Sequence, residues 1–99
     1  MTVKKAKFSR YDVTEYLKSK EDFAAYLGAC MEDAGDDAAY IAAALGDVAR
    51  ARGMVQLAKD TGISREGLHK ALSHDGNPSL ATVLKVVKAL GLKLTAKVA

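Results

Sequence analysis

In the segment MVQLAKDTGISREGLHKALS, residues 54–73, a glycine stands four residues after a small alanine and six before a leucine. No other feature restricts the chain as much. Ala58 permits close approach of a following helix, and Gly62 permits the positive φ of a sharp reversal. Leu68 then reaches back beneath Leu57 and Ile63. Two short helices joined by a tight turn meet all three conditions, which are the packing rule of a helix-turn-helix. A purely structural helical hairpin meets them too.

The remaining segments read as helices around this hairpin. Asp12, with Glu15 three residues later, forms a capping pattern ahead of the apolar Val13, Tyr16 and Leu17. Ser19 caps a second helix in which Phe23, Tyr26, Leu27, Cys30, Met31 and Ala34 recur with helical spacing, and Gly35 ends it. Asp36 or Asp37 caps a third, with Ile41, Ala44, Leu45, Val48 and Ala49 inward. Arg50 and Arg52 suit the negative end of its dipole, and Gly53 stops it. A helix over about 54–61 and one capped by Ser64, running to about Ser73, form the hairpin. The stretch His74-Asp75-Gly76-Asn77-Pro78 is a loop. Ser79 caps the last helix, with Leu80, Val83, Leu84, Val87 and Leu90 inward and Gly91 closing it. From Leu92 to Val98 apolar and polar residues alternate, as in a short edge strand or a frayed end. The expected fold is all-α, with five to six short helices and at most a short C-terminal strand. It is a single domain over 1–99: a flexible basic stretch at 1–11, N-terminal helices at 12–35, a helix-turn-helix core at 37–91 and a tail at 92–99.

Composition narrows the class. A chain of 99 residues suits one domain and leaves much surface exposed, so association would add burial. No run of 18 or more apolar residues exists, so no membrane span is expected. The basic Met1–Arg10 stretch has no apolar segment behind it and is no secretory signal. Cys30 is the single cysteine and has no internal disulfide partner, which fits a reducing, cytoplasmic compartment. Charge is lopsided: residues 50–99 carry nine Lys/Arg against three Asp/Glu, and residues 1–49 carry six against nine. Two surfaces with different partners would produce that split, and so would chance clustering on solvated faces.

With Leu68, Ala71 and Leu72 inward, Ser64, Arg65, Glu66, His69 and Lys70 lie on the outer face of the second hairpin helix. In a helix-turn-helix this is the recognition helix, whose N-terminal part enters the major groove of double-stranded DNA. There Arg65 suits guanine O6 and N7, and Glu66 suits a cytosine amino group. His69 and Lys70 suit a base edge or a phosphate, while the Ser64 hydroxyl suits a helix cap. A solvated face accounts for each charged residue equally well.

The carriers YDVTEYLKSKEDFAAYL, ALGDVARARGMVQLAKDTGISREGLHKALS and GNPSLATVLKVVKALGLKL resemble the probable addiction-module antidote proteins, antitoxins with a Cro/C1-type (XRE-like) helix-turn-helix. The resemblance spans roughly Tyr11 to Leu94. It implies a lambda-repressor-like helical fold, a homodimer, a palindromic operator, and a small RelE/HigB-like toxin as partner. It also implies repression of the protein's own promoter, with DNA read at Ser64, Arg65, Glu66, His69 and Lys70. One departure stands out. Many Cro/C1-type domains place a phosphate-binding glutamine first in the first motif helix. Here that position is Met54, and Gln56 follows two residues later. Asn77 is a substitute phosphate contact, or a plain turn residue before Pro78.

Other candidates for chemistry are weak. His69 and His74 lack further ligands at metal-binding spacing. Cys30 lies on an apolar stripe and reads as core. Glu32, Asp33, Asp36 and Asp37 are explained by a helix end meeting a helix start, with contact to a basic partner as an alternative. The isolated glycines are not phosphate-binding loops. No enzyme, cofactor or metal site is expected.

Overall fold

The computed structural model describes residues 10–99, with side chains from Val13 onward. Among the described residues six helices are formed: α1 (Arg10–Tyr16), α2 (Lys20–Ala34), α3 (Ala38–Arg52), α4 (Met54–Thr61), α5 (Arg65–Ala71) and α6 (Leu80–Ala89). Four start as the sequence specifies. The side chains of Ser19, Asp37, Ser64 and Ser79 accept from the backbone N–H three residues on, at Asp22, Tyr40, Gly67 and Thr82. Between the two candidates at the third start, Asp37 is the cap and Asp36 is not.

α3 is the hub. It packs against α1 and α2 on one side and against α4 and α5 on the other, while α6 closes over α4. Ala42 through Ala49 are all buried. The spacing of Ile41, Ala44, Leu45, Val48 and Ala49 predicts a one-sided stripe on this helix. Its alanines and Gly46 instead let neighbours approach from every direction, and a helix enclosed all round needs no polar face. Gly46 shows how close the approach is: a Cβ there would collide with the Leu72 carbonyl at the end of α5. The centre of the core is Val48, Leu57, Leu68, Leu72, Val86 and Leu90, each almost fully buried.

Several expectations are corrected. α1 covers Arg10–Tyr16, so Asp12 lies within a helix rather than ahead of it, and Arg10 and Tyr11, expected in the flexible stretch at 1–11, are helical. Residues 1–9 lie outside the described part. Tyr16 is exposed, whereas Val13 and Leu17 pack inward. Met31 also faces outward. On α6, Leu80 and Leu84, expected inward, are 67% and 47% exposed, and Val86, outside the expected inward set, is 0% exposed. The stripe is Val83, Val86, Val87 and Leu90. Both registers have helical spacing in this apolar sequence. The line of α6 across α4 selects the second. The alternating tail forms no strand among the described residues. Its Leu92 N–H donates to the Val87 carbonyl at 3.0 Å, and Lys97 reaches Glu32 of α2 at 2.9 Å.

Candidate nucleic-acid interface

α4 and α5 are joined through Gly62, which adopts φ 75° and ψ 10° and donates its N–H to the Ala58 carbonyl at 2.9 Å. A side chain rarely tolerates that left-handed conformation, so the glycine sets the reversal. Thr61 locks the turn: its hydroxyl donates to the Leu57 carbonyl at 2.8 Å and accepts from the Ile63 N–H at 3.2 Å. Leu57 and Leu68 are fully buried beneath it, with Ile63 and Ala58 packed against the same core. This arrangement is compatible with a helix-turn-helix.

Burying Leu68 and Leu72 fixes which face of α5 is left outside. Ser64, Arg65, Glu66, His69 and Lys70 are all exposed there. Ser64 is already engaged, because its Oγ accepts from the Gly67 N–H at 3.0 Å and so begins the helix. The other two candidates are not on this helix. Gln56 is exposed on α4, where its amide donates to the Asp60 carboxylate at 2.9 Å. Asn77 is exposed in the loop before α6. Met54 is half-buried against the core at the start of α4. Gly53, which precedes it, provides no side-chain cap. The first amides of α4 therefore lack the side-chain acceptor that α2, α3, α5 and α6 possess.

The sequence reading missed a second polar arrangement, on the opposite side of α3. Asp47 is a buried charged residue, 5% exposed. The Tyr26 hydroxyl donates to its Oδ2 and Arg50 donates to its Oδ1, each at 2.7 Å. Burial, reinforced by the hydrogen bond to Asp47, holds the Tyr26 phenol well above its ordinary pKa. Burial likewise pushes Tyr40 up to about 12, and raises the Cys30 thiol that contacts both tyrosines. Such a thiol is a core group, not an activated nucleophile. The signal in the sequence was a lone acid inside an apolar helix with an arginine three residues later, in LGDVAR. Among the described residues no His, Cys, Asp and Glu group could hold a metal ion, and no helix is long and apolar enough to cross a membrane.

A family model described as "Probable addiction module antidote protein" matches residues 7–98. A protein of Haemophilus influenzae, described as uncharacterized, is 54% identical over 83 residues, which is 84% of each chain. No solved structure matches.

Proposed function

The chain belongs to the probable addiction module antidote proteins, which are not enzymes, and from that premise we propose that it is an antitoxin that also represses transcription. An antidote implies a cognate toxin. In our reading the toxin is a small RelE/HigB-like protein, neutralised through the acidic N-terminal helices, and the chain binds operator DNA through α4 and α5. The observation that carries the DNA-binding part is the outer face of α5. Arg65, Glu66, His69 and Lys70 stand exposed together on a short helix whose other face is pinned by Leu68 and Leu72.

A homodimer would present two such helices about one DNA turn apart, roughly 34 Å, to a palindromic operator. Arg65 and Glu66 would read base edges from the first turn, and His69 and Lys70 would contact a base or phosphate. The missing glutamine at Met54 has a physical substitute. The uncapped amides at the start of α4 offer donors to a phosphate without any side chain. Gln56 and Asn77 would add contacts to the DNA backbone on either side. Leu80, Leu84 and Leu94 are the exposed apolar residues from which α6 and the tail could build the dimer contact. The family's known setting would place the protein in the cytoplasm.

Selection of bound sequences from a random duplex pool at two salt concentrations tests this. The expected result is a palindrome with half-sites about 10 bp apart. Arg65→Ala is expected to lose about 1–3 kcal/mol on that site, with no change in thermal stability. Binding that enriches nothing and vanishes with salt would favour a protein-interaction module, the reading that Met54 in place of the phosphate-binding glutamine supports. A sequence-specific chain whose toxin cannot be found in its host would be a stand-alone regulator.

A further inference from the structure

A pocket of about 320 Å³ opens between α2, α3 and the loop after α5, lined by Tyr26, Asp37, Tyr40, Asp47 and His74 over a floor of Ala43 and Ala44. Its walls combine two phenol rings with two carboxylates. Tyr26 is tied to Asp47 at 2.7 Å; Tyr40 stands in the first turn of α3, where its N–H donates to Asp37 Oδ1 at 3.1 Å, and its side chain meets the Cys30 thiol. Arg50 already neutralises one oxygen of Asp47. Asp37 at the mouth is exposed, and among the described residues no cation pairs with it. The surroundings are strongly acidic, since residues 11–37 carry eight Asp/Glu and two lysines. The volume equals roughly ten waters at about 30 Å³ each, room for one planar side-chain head with its hydration.

We propose that this pocket receives an arginine side chain from the toxin, stacked on the tyrosine rings and paired with Asp37. This rests on the reading that the acidic N-terminal half is the toxin-contacting region. An arginine fits better than a lysine. Its planar guanidinium stacks on an aromatic face and presents a fork of donors to a carboxylate, whereas an ammonium keeps its water. A toxin that works on a polyanion such as RNA exposes cations, and a carboxylate-rimmed pocket is the complementary surface.

The probe is N-acetylarginine amide, compared with the uncharged isostere N-acetylcitrulline amide, titrated into the full chain and followed by amide NMR. Shifts confined to residues around Tyr26, Tyr40, Ala43 and His74, with the arginine compound about tenfold stronger, are expected. Equal binding of both compounds, or shifts scattered over the acidic surface, overturns the proposal. Asp37→Asn keeps a capping side chain while removing the charge. Combined with Tyr40→Leu, and with the melting curve checked, it is expected to weaken capture of the co-expressed neighbouring gene product about tenfold. Capture by wild type and variant alike overturns the pocket and leaves the antitoxin reading standing. No capture by wild type overturns the toxin assignment, and with it the proposed arginine.

Discussion

The two sides of α3 are built on different chemistry. Toward α4, α5 and α6 the buried contact is apolar: Val48, Leu57, Leu68, Leu72, Val86 and Leu90 meet with almost no exposure, and a half-exposed Arg52–Asp60 pair at 3.9 Å lies at its edge. Toward α2 the contact includes a buried carboxylate, two tyrosines and a thiol. Close packing of apolar side chains fixes one geometry, which a reading helix needs if its side chains are to meet base edges. A hydrogen-bonded polar layer contributes less net stability, and a group in it left without its partner is costly. One helix thus carries a tightly packed apolar face and a hydrogen-bonded polar one.

The largest expected effect lies on the apolar side. Leu68→Asp places a charge where nothing can solvate or pair it. It adds that penalty to a lost packing term of about 2–5 kcal/mol. Cooperative thermal unfolding, followed by circular dichroism, should disappear or shift far down. A variant that melts like wild type would break the claim that this side is a single packed unit.

On the polar side the losses should be smaller. Asp47→Ala removes the acceptor shared by Tyr26 and Arg50. The expected cost is about 2–3 kcal/mol, below that of a fully buried pair because Arg50 reaches solvent. Urea unfolding measures it. A loss equal to that of Leu68→Asp would erase the contrast between the two faces.

Tyr26→Phe is milder, at about 1–2 kcal/mol, since it leaves one carboxylate oxygen without its phenol but keeps the ring. It has a pH signature. Tyr40 titrates near 12 in the folded chain against an ordinary 10.0, and Tyr26 is also raised. Above pH 10 the unfolded chain loses these protons while the folded chain keeps them, so stability falls as pH rises from 10 toward 12 and beyond. Below pH 10 both states are protonated and the phenols add no pH dependence. Tyr26→Phe should flatten the alkaline fall; an unchanged slope would mean that burial of Tyr26 does not bias its proton.

The apolar side was largely legible from sequence. Ser64, Gly62 and Leu68 are local devices, a cap, a turn and a knob, and each acts within a few residues of its partner. The bounds of α4 and the exposed set on α5 follow directly. What escaped was non-local. Asp47 meets Tyr26 from 21 positions away, and no helical spacing encodes that pair. Leu80 and Leu84 share a spacing as good as that of Val83 and Val87, and only the placement of α6 on α4 decides between them. The burial of α3 on all sides was hidden for the same reason: alanine reads the same at a surface and in a core.

The smallest effect tests where the boundary between the two regions runs. The tail leaves α6, part of the apolar side, yet Lys97 ends beside Glu32 on α2, at 2.9 Å. Both side chains are largely exposed, 81% and 69%, so water and salt screen the pair and ordering two long side chains offsets much of its attraction. Lys97→Ala should therefore change stability by less than about 0.5 kcal/mol, and the coupling in a double-mutant cycle with Glu32→Ala should vanish at high salt. A coupling above about 1 kcal/mol would exceed what an exposed pair supplies. The tail would then be a structural strap holding α2 to the apolar side of α3, and the two sides of α3 would no longer be independent units.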